Sequence, residues 1–296
     1  MTPWPAMVRR LVYFGTPEVA VAPLHALCDA GFEVTLAVTG ADRRRRRRGA
    51  AEPSPVSRTA TALGIPVTHR PADAVAEAGR ADGAVVVAYG RLIGADVLAA
   101  LAVVNVHFSL LPRWRGAAPM ERAILAGDTT TGISLMALTE TLDTGPLYAR
   151  VATPIGAAET LAELRERLVA LSCPLLVELL ANGPRNPTPQ QGEVTWAAPV
   201  TPDDLRLDWD RPAVELHRRV RLGRAWTTLD GERLLILAAS LAADHEGSPG
   251  LLENLVVGTA SGGLRLQEVQ AAGGRALPAA DWRRGARLED VCRLGS

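Results

Sequence analysis

Two patterns of apolar and polar positions divide the chain. Through the first 180 or so residues, short apolar runs alternate with helix-length amphipathic stretches. Leu11–Phe14, Val34–Val38, Ala84–Ala88, the run "LAVVNVHFS" and Ile133–Leu138 read as strands. Most lack the polar-apolar alternation of a half-exposed strand, so they belong to a sheet covered on both faces. Strands separated by helix-length segments predict an α/β fold with a mostly parallel sheet. "TLAELRERLVALSCPLLVELLANG" reads as an amphipathic helix with a Leu161, Leu164, Leu168, Leu171 stripe. Thr160 and Glu163 form its capping box, Asn182-Gly183 stops it, and Pro174 is expected to kink or interrupt it. After it, "NGPRNPTPQQGEVTWAAPVTPDD" is proline-rich and aperiodic, as expected of an extended linker. Beyond lie short strands and turns, with "AWTTLDGERLLILAAS" as a hairpin about Asp230-Gly231 and "NLVVGTASGGLRLQEVQ" as a second strand pair. These predict a small β-barrel. The resulting division is an α/β domain over 1–183, a linker over 184–204 and a C-terminal domain over 205–296.

Composition narrows the class. A length of 296 residues suits two domains, and 48% hydrophobic with 22% charged residues suits a globular enzyme or binding protein. No apolar run reaches the roughly 18 residues of a spanning helix. The start, "MTPWPAMVRRLVYFGTP", has no long apolar core and predicts no signal peptide. Cys28, Cys173 and Cys292 are dispersed, which argues against a disulfide framework or a metal site and for a reducing cytoplasm. The net charge is +0, so no global field announces a nucleic-acid partner. The charge is uneven, however. Every cation is arginine, and Arg43, Arg44, Arg45, Arg46, Arg47 and Arg48 are consecutive. By composition alone, that run is a solvated charge block.

Candidate chemistry centres on "NVHFSLLPRWRGAAP", Asn105 to Pro119. On a strand, Asn105 and His107 share a face while Val106 and Phe108 take the other. An amide supplies two fixed N–H donors, and an imidazole supplies one whose charge changes near neutral pH. Donors converging at the carboxyl end of a parallel strand suit an oxygen that becomes negative during acyl transfer. Asp143, in "TETLDTGP", can orient His107 or take a proton from an attacking amine. No Ser or Cys is placed as a nucleophile, which favours direct transfer between two bound substrates. Against this, a lone Asn-x-His is more often structural than catalytic, and Asp-Thr-Gly is a routine turn.

The set of motifs resembles the 10-formyltetrahydrofolate-dependent formyltransferases. Asn-x-His-x-Ser-Leu-Leu-Pro with the later Asp carries the resemblance, and Arg113-Trp114-Arg115-Gly116-Ala117-Ala118-Pro119 narrows it to the branch acting on aminoacylated tRNA. "FGTPEVA", "PSPV", "VVVAYG", "RLDWDRPAVELHRRVR" and "ADWRRGARL" agree in order and spacing. The resemblance implies a Rossmann-like catalytic domain followed by an OB-like barrel. The formyl group of the co-substrate 10-formyltetrahydrofolate would pass to the α-amino group of methionine on initiator tRNA, with no metal. Asn105, His107 and Asp143 would be catalytic, Asn105 and His107 holding the formyl oxygen as the tetrahedral intermediate forms and Asp143 orienting His107 and assisting removal of the amine proton. Ser109, Leu110, Leu111, Pro112, Tyr89, Gly90, Leu92 and Ile93 would line the folate site. Arg43–Arg48, Arg113, Arg115, Arg218 and Arg219 would meet tRNA, the chain acting as a monomer.

Some positions depart from the family pattern. Leu92-Ile93-Gly94 replaces a Leu-Pro pair, Pro146 stands where many relatives carry an acid, and lysines of the second domain are absent. Three rival readings stay open: an amino-sugar formyltransferase, a hydrolase releasing formate without an acceptor, and a non-catalytic RNA-binding protein.

Overall fold

The first apolar run becomes strand β1 (Arg10–Gly15), whose Leu11, Val12, Tyr13 and Phe14 are all 0% exposed. A computed structural model describes residues 2–44, 51–287 and 291–295. In chain order β1 is followed by α1 (Val21–Asp29), β2 (Glu33–Val38), β3 (Arg43–Arg44), β4 (Ala51–Glu52), α2 (Pro55–Ala62), β5 (Val67–Thr68) and β6 (Gly83–Val87). Then come α3 (Ala95–Ala100), β7 (Val103–His107), β8 (Arg115–Gly116), α4 (Pro119–Ala126), β9 (Thr130–Ala137), β10 (Leu147–Pro154), α5 (Leu161–Ala181) and β11 (Trp196–Ala197).

Seven of these strands form one sheet in the order β10-β9-β7-β6-β1-β2-β5. The five from β5 to β7 run parallel, β9 pairs antiparallel with β7, and β10 antiparallel with β9. This is the expected Rossmann-like, mostly parallel architecture. Val12, Phe14, Ala84, Val86 and Val103 make one apolar cluster with Val97 of α3. Asn105 and His107, two and four residues beyond Val103, continue that face toward the strand's carboxyl end. The apolar covering of this face therefore gives way to polar groups where open α/β sheets bind ligands.

Pro174 does not interrupt helix α5. The chain runs through the proline as a single 21-residue helix. Leu164 and Leu168 before the proline, and Leu176 and Leu180 after it, are all 0% exposed. Four buried leucines at about 1.5–3 kcal/mol each outweigh the roughly 3 kcal/mol cost of an interior proline. The buried row continues through Ser172, whose Oγ donates to the Val169 carbonyl at 2.7 Å, while Leu171 is half-buried. The capping box is present: the Thr160 N–H donates to Glu163 Oε2 at 2.8 Å, and the Glu163 N–H to Thr160 Oγ1 at 3.3 Å.

The chain divides into two units, one comprising 1–119, 130–154 and 165–197, the other 120–129, 155–164 and 198–296. The second contains α6 (Ala213–Val220), β12 (Ala225–Leu229), β13 (Glu232–Ala242), β14 (Leu251–Glu253), β15 (Val256–Gly258), β16 (Gly263–Ala271), β17 (Leu277–Pro278), α7 (Ala279–Gly285) and β18 (Val291–Arg293). Its antiparallel sheet, ordered β12-β13-β16-β15-β14-β18 with β17 on β16, is OB-like and surrounds Leu216, Ile236, Val257, Leu264 and Val269, all 0% exposed. Asp230 (φ 51°) and Gly231 (φ 77°) turn the β12–β13 hairpin, as a two-residue loop with both φ positive requires. No helix among the described residues is long and apolar enough to cross a membrane.

Candidate active site

The site is built at the end of β7. Asn105 lies beside Val86 of β6 and Met136 of β9, and His107 is directly opposite Ser134 of β9. Both are buried, at 8% and 6% exposure. Past His107 the chain turns back, and Ser134 holds the turn from below: its Oγ donates to the Ser109 carbonyl at 2.7 Å and accepts from the Leu111 N–H at 3.1 Å. The Ser109 hydroxyl in turn donates to the Arg113 carbonyl at 2.5 Å. The Leu111–Pro112 bond is cis, and Trp114 adopts φ 63°.

That turn delivers the Trp114 carbonyl to His107, whose Nε2 lies 2.8 Å from it. A carbonyl only accepts, so the neutral imidazole carries its proton on Nε2 and leaves Nδ1 bare. Nδ1 faces Asp143 Oδ2 at 3.6 Å, beyond hydrogen-bond range. Asp143 Oδ2 also accepts the Gly116 N–H at 2.8 Å. The Asn105 amide makes no hydrogen bond among the described residues, so both its donors remain available.

Topology makes the approach of Asp143 demanding. Because β9 runs antiparallel to β7, Ala137 at its end lies beside Val104, below His107. The loop from Leu138 to Pro146 must fold back to bring Asp143 to the imidazole. Two backbone features permit it: Asp143 adopts φ 51°, and a Cβ on Gly145 would stand 1.7 Å from the Ala137 carbonyl oxygen. Gln190 clasps the loop from outside. Its Nε2 donates to the carbonyls of Asp143 at 2.9 Å and Gly145 at 2.8 Å, while its Oε1 accepts from Arg115 Nη2 at 2.6 Å and Nε at 3.1 Å.

The other predicted site residues are distributed as follows. Ser109 and Leu111 are 0% exposed, and Pro112 is buried. Leu110 is half-buried, packed where a Cβ on Gly132 would meet it at 2.5 Å. At the end of β6, Tyr89 is buried edge-on to Phe14 with ring centroids 5.4 Å apart, and burial pushes its phenol pKa up. Gly90 is exposed with φ 77°. Leu92 is 75% exposed, whereas Ile93 belongs to the apolar cluster beneath the sheet face. The Arg113 guanidinium lies 4.7 Å from the Trp114 ring centroid, and Arg115 is engaged by Gln190. In the second unit, Arg218 and Arg219 of α6 donate to the carbonyls of Ala126 and Arg206. Arg43 and Arg44 pair with Glu52 and Ala51 through their backbones. Arg45–Arg48 lie outside the described residues. Among the described residues, no group of three or more His, Cys, Asp or Glu is placed to hold a metal ion.

Residues 9–180 match the family model described as formyl transferase, and 199–287 match formyl transferase, C-terminal domain. The methionyl-tRNA formyltransferase of Roseobacter denitrificans is 42% identical over 298 residues, covering 95% of this chain and 97% of its own length. The chain belongs to the methionyl-tRNA formyltransferase family. A second member, from Paenarthrobacter aurescens, is 42% identical with 93% and 96% coverage. HypX from Aquifex aeolicus in complex with tetrahydrofolic acid superposes with a TM-score of 0.66 at 19% identity over 94% of this chain. The chain spans about half of HypX, 47% of its length, and the likeness is one of fold.

Three residues around this candidate site escape sequence reasoning: Ser134, Gln190 and Thr195. Ser134 carries a faint signal, being a hydroxyl within the apolar run "GISLMA". Gln190 and Thr195 carry none, since they fall in the aperiodic stretch that reads as a linker.

Proposed function

We propose that the chain transfers the formyl group of 10-formyltetrahydrofolate to the α-amino group of methionine on initiator methionyl-tRNA, with Asn105, His107 and Asp143 as its catalytic residues. The observation that carries the reading is the unbonded Asn105 amide beside the 3.6 Å gap between His107 Nδ1 and Asp143 Oδ2. The gap faces one bare nitrogen and one carboxylate toward each other, two acceptors that a proton or an N–H donor reconciles. The attacking amine supplies both. As its nitrogen bonds to the formyl carbon, Asn105 N–H groups stabilise the carbonyl oxygen as it becomes negative. The amine proton moves into the Nδ1–Oδ2 gap, where His107 becomes imidazolium next to Asp143. The bond from the formyl carbon to the folate nitrogen then breaks, that nitrogen takes the proton from His107 Nδ1, which returns the imidazole to its neutral form, and tetrahydrofolate and formylated methionyl-tRNA leave. The Trp114 carbonyl keeps Nε2 protonated throughout, so only Nδ1 exchanges protons.

The folate ring is assigned to the space bordered by the loops after β6 and β7 and the Asp143 loop. The exposed Leu92 supplies an apolar wall and the Leu110–Pro112 turn another, an arrangement suited to a flat amphiphilic ring. Ser109, Leu111, Tyr89 and Ile93 support that wall from beneath; Gly90 leaves room at the turn. Arg43–Arg48 with Arg113, Arg115, Arg218 and Arg219 are assigned to tRNA phosphates and unpaired bases. Residues 1–183 carry the chemistry with the Gln190–Ala197 segment bonded to their loops, and 205–296 contribute tRNA contacts. The enzyme works as a monomer in the cytoplasm.

The test is formyl transfer from 10-formyltetrahydrofolate with methionyl initiator tRNA, an amino-sugar nucleotide, or no acceptor. Formyl-methionine on tRNA alone is expected. Formylated sugar would change the acceptor, and formate released without acceptor would make the chain a hydrolase.

A further inference from the structure

The segment from Gln190 to Thr195 lies against both catalytic loops at once. At one end Gln190 uses all four of its hydrogen-bonding sites, two N–H donors on the Asp143 and Gly145 carbonyls and two acceptor positions on Arg115. At the other end Thr195 Oγ1 accepts the Trp114 N–H at 2.8 Å, and the Thr195 carbonyl accepts the Arg115 N–H at 2.9 Å. Strand β11 then pairs parallel with β8, Trp196 beside Arg115 and Ala197 beside Gly116. Gly116 is the residue whose N–H holds Asp143 Oδ2. The two ends therefore reach the two halves of the proton-accepting gap. Gln190 sets the backbone of Asp143, and Thr195 holds the peptides on both sides of Trp114: its hydroxyl accepts the N–H of the Arg113–Trp114 peptide and its carbonyl the N–H of the Trp114–Arg115 peptide, whose oxygen fixes the proton of His107 on Nε2.

The energetics of the two loops make such a clasp necessary. Asp143 at φ 51° and Trp114 at φ 63° are non-glycine residues in left-handed conformations. Such conformations persist only where surrounding bonds over-determine them. Local bonds, Ser109 to Arg113 and Thr144 to Thr141, contribute at these two positions, and one short strap, Gln190 to Ala197, adds bonds from 47 and 81 residues away in sequence.

We infer that Gln190 and Thr195 are positioning residues for the formyl transfer: together they hold Asp143 and the His107 tautomer in the arrangement that accepts the amine proton. This rests on the functional reading above, with neither residue touching the reacting atoms. Gln190→Met keeps the length and removes every hydrogen bond. Gln190→Glu keeps the acceptor for Arg115 but removes the donors to the loop. Thr195→Val keeps the shape and removes the acceptor for Trp114.

The experiment measures kcat, both KM values, the pH profile of kcat and the melting temperature for the wild type and the three variants. Alongside it, the ring-nitrogen NMR shifts of His107 are recorded in the substrate-free protein. The expected result is a kcat lowered ~10–100-fold in Gln190→Met and Gln190→Glu alike, with KM within about threefold, since small misplacements of a catalytic group have effects of that size. The pH profile moves with kcat, and Thr195→Val mixes the two imidazole tautomers where the wild type is Nε2-protonated. Wild-type kcat in Gln190→Met, recovery of kcat by Gln190→Glu, or an unchanged tautomer in Thr195→Val overturns the inference. A loss of activity that merely follows the fraction unfolded also overturns it. Because the tautomer is read without substrate, the strap can fail while formyl transfer stands. A wild type inactive on methionyl-tRNA would instead refute the functional reading.

Discussion

Replacing Asn105 by Ala separates catalysis from stability with unusual clarity. The side chain is 8% exposed, and its amide makes no hydrogen bond among the described residues. A structural asparagine at such depth would be paired, and its loss would leave a partner unsatisfied at about 1–3 kcal/mol. Here no partner is left behind, so Asn105→Ala should change unfolding free energy by less than about 1 kcal/mol. Its catalytic cost is set by a different quantity. Removing one preorganised donor from a developing oxyanion typically lowers kcat by ~10²–10³, about 2.7–4 kcal/mol of barrier. Asn105→Asp keeps the volume but presents an acceptor where a donor is needed, and should fall at least as far. The assay is single-turnover formylation at saturating folate and tRNA, paired with urea unfolding of the same preparations. A kcat within threefold of wild type refutes the oxyanion role. So does a destabilisation above about 3 kcal/mol that tracks the loss of activity, because it would make Asn105 a structural residue.

Three other outcomes follow from the geometry. Gly145→Ala puts a Cβ 1.7 Å from the Ala137 carbonyl oxygen, so the Asp143 loop must shift; a kcat loss of ~10²-fold or more is expected, and near-normal turnover would refute the placement of that loop. In the second unit, Arg122 holds the Asp204 carboxyl down to about 2 from its ordinary 3.8. A lowered carboxyl stabilises the fold above the unfolded value, and that contribution disappears as pH falls from about 4 to about 2. At 26% side-chain exposure solvent screening limits it to under ~1 kcal/mol, so urea curves of Asp204→Asn should lie just below wild type at pH 7 and merge with it near pH 2. Replacing Arg43–Arg48 by Ser should weaken tRNA binding and flatten the slope of log affinity against log salt by roughly 0.7–0.9 for each phosphate no longer neutralised; an unchanged slope would return that run to a solvated charge block.

What the sequence makes legible, and what it hides, follows from the range of each interaction. The strand bearing Asn105 and His107 is readable because alternation is a local rule, and its place at the carboxyl end of a buried sheet follows from the apolar runs on either side. The helix over Leu161–Ala181 is equally local, and Pro174 misleads only because the burial that overrides it is tertiary. Asp143 can be named from its motif, but its fold-back toward His107 depends on β9 running antiparallel, which no run of residues encodes. Gln190 is further out of reach: its bond to Asp143 joins residues 47 apart, from a proline-rich stretch with no period. Most hidden of all is the His107 tautomer. The group that sets it is the backbone carbonyl of Trp114, a chemical feature every residue possesses, so its identity gives no signal. The side chains proposed as catalytic are therefore written in residue types, whereas their proton inventory is written in backbone geometry. Substitutions that leave Asn105, His107 and Asp143 intact can thus still abolish transfer, provided they move the Trp114 peptide or the Asp143 turn.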